Sequence, residues 1–275
     1  MQLSTNLTES GAAIVLIGGG GAGPEHHLAQ IFTRLLQHAG GLSANVVILT
    51  SATGYPQRQA VRTSNFFRAL GAENLHAPMI NTRAEADDPE NESILRGADA
   101  IYLTGGDQSR YVNILEGTRC GQAIHEASRQ GIILGGTSAG AAVMSDVMIA
   151  SSFDWIMQRR GVPLVRHGMG LLGHGVTVDT HFAQRRRIPR LLKTVQTLPG
   201  TLGIGLDEDT ALIVDHRGIG EVIGYSQVYF FRQRGSRVQQ YSLVEGQCFD
   251  LVNFRIKTST RRDDYQDNYR GEAAS

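Results

Sequence analysis

The segment Gly136-Thr137-Ser138-Ala139-Gly140 has the residue types and spacing of a nucleophile turn. It follows the apolar run Ile132–Leu134 and opens the small-residue stretch Ala141–Ser145, which reads as a helix. A serine between small residues at a strand-to-helix turn has its hydroxyl lifted clear of the sheet, the setting of a G-x-S-x-G nucleophile. The next N–H, that of Ala139, would point at a developing oxyanion, and the helix N-terminus would add partial positive charge there. Without chemistry the same pentapeptide is a glycine-rich turn; the strand before it and the helix after it favour the nucleophile.

A serine nucleophile needs a base, and the base needs an orienting group. His181 follows the apolar run Val176–Val178 and comes two residues after Asp179. That position predicts His181 on the same sheet edge as Ser138, where ligands bind in open α/β sheets. His26 and His27, just after the first glycine loop, are the other candidate bases. The carboxylates of Gly205-Leu206-Asp207-Glu208-Asp209 precede a β-hairpin; Glu208 is the favoured orienter and Asp179 the competing one. The chain order Ser138, His181, Glu208 differs from the Ser–acid–His order of α/β-hydrolases. By analogy it is the order of glutamine-amidotransferase-like folds.

Two glycine loops would complete such a site. Gly105-Gly106-Asp107-Gln108 follows the strand Ala100–Thr104, so the Gly106 N–H is a second oxyanion donor and Gln108 a polar contact. Gly18–Gly23 formally matches G-x-G-x-x-G, but a dinucleotide site also wants an acid after the second strand. Here Asn45–Leu49 runs into Thr50-Ser51, so a backbone wall of the substrate site is the better reading and no cofactor is expected. Arg185, Arg187 and Arg190 follow His181 by four, six and nine residues. Guanidinium forks grip carboxylates, and structural ion pairs are the alternative.

Around these motifs, apolar strands alternate with helical stretches. Strands are expected at Ala12–Ile17, Asn45–Leu49, near Leu75–Met79, at Ala100–Thr104 and at Ile132–Leu134. Helices are expected over His27–Gln37, Gln57–Leu70, residues 84–93 and Val112–Gln130. Residues 152–175 read as a long loop with a short helix, and a basic helix starts at Phe182. From Thr210 the pattern turns to β, with runs at Thr210–Val214, Glu221–Ile223, Gln227–Phe231 and Val238–Leu243. Alternation of this kind predicts an α/β three-layer sandwich with a mostly parallel central sheet and a β-rich C-terminal part. We read residues 1–275 as a single domain, with an ordered core over about 11–257 and a loose polar tail at 258–275.

Composition narrows the function classes. The 275 residues are 41% hydrophobic and 19% charged, which excludes a disordered chain. Lys+Arg and Asp+Glu both number 26, so no global field favours nucleic acid or a membrane surface. Only Lys193 and Lys257 are lysines, so the remaining cations are arginines. Cys120 and Cys248 stand apart without metal spacing and read as free thiols of a reducing compartment. The polar start of the sequence lacks the order of an export signal, and no run approaches a membrane span, so a cytoplasmic location is expected.

Taken together, Gly105–Gln108, Gly136–Ala141, Asp179-x-His181-Phe182 with its three arginines, and Gly205–Ala211 resemble the cyanophycinase family. This family of serine exopeptidases also contains α-aspartyl dipeptidases. The match is collinear from the first glycine loop to the β-rich end. It implies cleavage of the α-peptide backbone of cyanophycin, a poly-aspartate bearing arginine on each side chain, with release of β-aspartyl-arginine. Carried over by position, it implies Ser138 as nucleophile, His181 as base and Glu208 as orienter, with Gly106 and Ala139 as oxyanion hole. Gln108, Asp179, Thr180 and the three arginines would read the zwitterionic substrate, without a metal, in a homodimer. Close cyanophycinases carry Gln where this chain has Thr180, a shorter side chain without the amide donors. A different aspartyl or isoaspartyl peptide is therefore the alternative substrate, and a non-catalytic biosynthetic accessory the alternative class.

Overall fold

In the computed structural model, residues 13–20, 28–150 and 163–257 are described. His26, His27, the end of the first glycine loop and the expected tail at 258–275 lie outside the described residues.

The first half alternates as its hydrophobic pattern requires. It runs β1 (Ile14–Ile17), α1 (Leu28–His38), β2 (Asn45–Leu49), α2 (Pro56–Ala69), β3 (Asn74–His76), α3 (Arg83–Ala86), α4 (Pro89–Arg96), β4 (Ala100–Leu103), α5 (Gln108–Leu115), α6 (Arg119–Gln130), β5 (Ile133–Thr137) and α7 (Ala139–Ala142). The strands pair in parallel in the order β1-β5-β4-β2-β3. Successive side chains point to opposite faces, so both faces need cover. Val15 and Ile17 pack with Phe32, Leu35 and Phe67 of α1 and α2. Ile14 and Leu16 face the cluster built by Tyr111, Ile124 and Ala139 and Ala141 of α7. Each fully buried side chain of this size contributes roughly 1.5–3 kcal/mol.

Two expected helices are each split in two, and caps explain both. Asp88 precedes Pro89, takes an extended conformation and caps α4 through its carboxylate, so residues 84–93 cannot form one helix. Thr118 accepts from the Gly121 N–H and starts α6, which breaks the expected helix Val112–Gln130.

The second half runs β6 (Val147–Ile149), β7 (Val165–His167), β8 (Val176–Thr180), α8 (Ile188–Thr197), β9 (Leu202–Leu206), β10 (Thr210–Val214), β11 (Ile219–Gly224), β12 (Val228–Arg234), β13 (Arg237–Leu243), β14 (Cys248–Asp250) and β15 (Arg255–Lys257). β10 adds antiparallel to β1, and β11, β14 and β15 extend it to a nine-stranded sheet. β6 and β7 form a separate antiparallel pair. A second sheet has the order β13-β12-β9-β8. One of its faces joins the central core, and α8 covers the other through Phe182, Leu191, Val195 and Phe231. The basic stretch after Phe182 is first a turn; the helix starts at Ile188. Among the described residues no helix is long and apolar enough to cross a membrane.

This arrangement corrects one expectation. His181 follows β8, which lies in the second sheet and not in the sheet of Ser138. Backbone ties bring the two together: Asp146 N–H donates to Val176 O (3.0 Å), and His181 N–H donates to Gly18 O (2.8 Å). Val178 N–H donates to the Ser145 hydroxyl (2.8 Å).

Candidate active site

β5 leads straight into α7 through Ser138, whose backbone sits at φ 52°, ψ −113°. Positive φ is costly for a residue with a Cβ and persists only where the surroundings impose it. Here the tight strand-to-helix junction imposes it, and the flanking glycines permit that junction. A Cβ on Gly136 would lie 2.4 Å from Gly140 O, and one on Gly140 would lie 2.0 Å from Leu103 O. The motif is thus a packing requirement: strand and helix approach too closely for any side chain. Ser138 N–H donates to Ile17 O (3.0 Å), which fixes the turn to the central strand.

The Ser138 hydroxyl lies 2.8 Å from Nε2 of His181. Nδ1 of the same ring lies 2.6 Å from Oε1 of Glu208. The imidazole is largely buried (12% exposed) and the Glu208 side chain is partly open (36%). Burial, the largest influence, pushes His181 below its ordinary value; the Glu208 hydrogen bond opposes this and Arg185 adds to it. The ring is therefore neutral near pH 7 and able to accept a proton from the serine. The competing orienter, Asp179, has its hydrogen bonds elsewhere.

The loops around the histidine explain two sequence features. Phe182 is wholly buried, and its ring seats where a Cβ on Gly205 would lie 2.6 Å from it. Asp207 accepts from Ala183 N–H (2.8 Å) and the Ser226 hydroxyl (2.7 Å), holding the turn that carries His181. The glycines Gly18 and Gly19 form a wall against the same loops. Gly19 has φ 106°, and a Cβ there would lie 2.3 Å from Cε1 of His181. A Cβ on Gly18 would lie 1.9 Å from Asp207 O, and Gly19 O accepts from Asp209 N–H (2.9 Å). Sequence reading missed these contacts with the histidine. The signal was there in consecutive glycines directly after a buried strand.

A cleft of about 280 Å³ opens beside Ser138, lined by Gly106, Gln108, Ala139, Thr180, Arg185 and Arg187 among others. Gly106 has φ 148°, and a Cβ there would strike Ala52 O at 2.3 Å. Ala139 opens α7, so its N–H belongs to the first turn, where no intrahelical acceptor exists. Gln108 is buried and its Nε2 donates to Ile149 O (2.8 Å). Asp179 lies at the cleft floor, its side chain 2% exposed and ion-paired to Arg187 and Arg190. Burial lowers the Arg187 guanidinium to about 10. Arg185 is exposed at the rim and makes no ion pair among the described residues, and Arg190 stands behind Asp179.

The sequence matches peptidase family S51 over residues 14–222. It is 32% identical over 263 residues to a cyanophycinase of Synechococcus elongatus, covering 95% of this chain and 81% of that protein. A cyanophycinase of Geminocystis herdmanii is 33% identical over 243 residues, covering 88% of this chain and 84% of the relative. The crystal structure of a peptidase from an acI-B1 actinobacterium shares the fold, with a TM-score of 0.68 at 23% identity, covering 90% of this chain and 98% of that one. The chain therefore belongs to peptidase family S51, and it is a serine-type peptidase.

Proposed function

We propose that this peptidase cleaves the α-peptide backbone of cyanophycin and releases β-aspartyl-arginine, using Ser138, His181 and Glu208. The observation that carries the reading is the hydrogen-bonded line from Ser138 Oγ through both His181 nitrogens to Glu208, at 2.8 and 2.6 Å. Its support on the substrate side is similarity to cyanophycinases over most of the chain.

The chemistry follows from the geometry. Ser138 Oγ attacks the scissile carbonyl carbon while its proton passes to Nε2 of His181. Glu208 accepts from Nδ1–H, fixes the tautomer and stabilises the imidazolium. The N–H groups of Gly106 and Ala139 receive the oxyanion. Collapse breaks the C–N bond, and the leaving amine takes the proton from His181. Water, deprotonated by His181, then hydrolyses the acyl-serine ester and restores the hydroxyl. Arg185 and Arg187 offer guanidinium forks to substrate carboxylates.

Thr180 favours a second reading, a different aspartyl or isoaspartyl peptide. It is 3% exposed and its N–H and C=O are already bonded to Asp179 and Arg187. Only a short hydroxyl-bearing side chain is left to a ligand. The test is incubation with cyanophycin and mass spectrometry for β-aspartyl-arginine, with Ser138→Ala alongside. Product from the unaltered protein alone supports the reading. Product from both removes Ser138 as nucleophile, and product from neither, with Ser138 reactive to a phosphonate, moves the search to other isoaspartyl peptides.

A further inference from the structure

We propose that Asp179 and Arg190 are positioning residues that act through Arg187, and that neither touches substrate. The inference deepens the proposed function and rests on its reading of the cleft as a reader of carboxylates.

A carboxylate has about four acceptor sites. Asp179 receives four donors, three of them on one oxygen. Oδ1 accepts from Thr180 N–H (2.9 Å), Arg187 Nη1 (3.2 Å) and Arg190 Nη2 (2.5 Å), and Oδ2 accepts from Arg190 Nε (2.6 Å). With its side chain 2% exposed and held by two arginines, Asp179 presents almost no surface to a substrate guanidinium. Its negative charge is matched by two guanidinium groups, so the charge left over at this end of the cleft is positive.

Arg187 is held from one side only. Nη1 donates to Asp179 and also to Thr180 O (2.7 Å), and Arg187 lines the cleft with Nη2 and Nε making no hydrogen bond among the described residues. Arg190 stands at the start of α8, and its backbone carbonyl also accepts from Thr194 Oγ1 (2.9 Å). Its two-point grip fixes the Asp179 carboxylate plane, and that plane fixes the fork of Arg187. The helix thereby aims a residue that it does not itself contain. Exposed Arg185, by contrast, has no such brace among the described residues.

The test reads ligand binding separately from turnover. Ser138 is labelled with a phosphonate, and the succinate concentration that halves the labelling rate is measured, each variant against its own rate without succinate. Arg187→Gln is expected to raise that concentration about tenfold or more, as loss of a desolvated charge contact does. Arg190→Gln is expected to raise it as much, and the double variant no further than Arg187→Gln alone, since residues acting in series do not add. Arg190→Lys keeps the charge beside Asp179 but not the two-point grip, and should fall between. It also serves where the glutamine variant fails to fold.

Additive effects would show that Arg190 binds the ligand itself, and overturn the proposal. So would an Arg190→Gln variant with wild-type protection, or a wild-type protein that succinate does not protect. Failure of cyanophycin cleavage is a separate result, because the labelling assay does not use that substrate.

Discussion

At the scale of single residues, the charges around His181 set when the site can work. Only the neutral ring can take the serine proton, so kcat/KM must fall as pH drops through the His181 pKa. Burial places that fall below the ordinary histidine value, and Arg185 pushes it lower still. Arg185→Gln removes a positive neighbour and makes the imidazolium easier to form. The acidic limb of the kcat/KM profile should therefore move to higher pH; an unmoved limb would mean that solvent screens Arg185 from the ring. Glu208→Gln acts in the opposite sense on the limb, because it removes the group that raises the ring. It should also lower kcat by about 10³–10⁴-fold, the scale of losing tautomer control in a triad. If rates are preserved in that variant, the 2.6 Å contact is structural and another group orients the base.

At the scale of elements, glycines decide where the catalytic groups can stand. Gly19→Ala is the sharpest case, with φ 106° and a Cβ placed 2.3 Å from the imidazole. The ring must move, and a displacement near 1 Å in a catalytic group costs about 10²-fold in rate. We expect kcat to fall by that order while far-UV circular dichroism stays native; unchanged kcat would mean that the loop yields instead of the ring. The same element shows what a sequence does and does not reveal. The Ser138 turn was legible because its requirement is local: strand, small residues, helix. Glu208 was legible as a carboxylate at a strand end. Gly18 and Gly19 were legible as a backbone wall, but their contacts were not, because their neighbours Asp207 and His181 are distant in sequence and arrive through tertiary folding. Nor was the second sheet. The run Val176–Val178 shows that a strand exists, but its partner is a choice between exposed edges that periodicity does not encode. Asp179 was recognisable as a nearby acid, yet its two arginine partners depend on a turn at residues 181–187. A helix read from Phe182 onward would have placed them differently.

At the scale of the whole molecule, the site joins two sheets that must stay docked. Near the site they are tied by the backbone hydrogen bond from His181, just after β8, to Gly18, just after β1. At the far end they meet through aromatic rings: Phe230 of β12 stacks on Phe249 of β14, centroids 4.0 Å apart and 13° from parallel. Phe249 is fully buried and also meets Tyr241 and Phe254 edge or tilted. Truncating such a ring to Ala costs about 3–5 kcal/mol, much of the stability of an ordinary domain. Phe249→Leu keeps most of the volume and so reports on docking without unfolding the chain. We expect a lower denaturation midpoint and, well below it, a kcat within about twofold of the parent, because the ties beside His181 do not pass through Phe249. A kcat that falls while circular dichroism remains native would reverse the assignment. The far aromatic contact, and not the glycine wall, would then set the distance between Ser138 and His181.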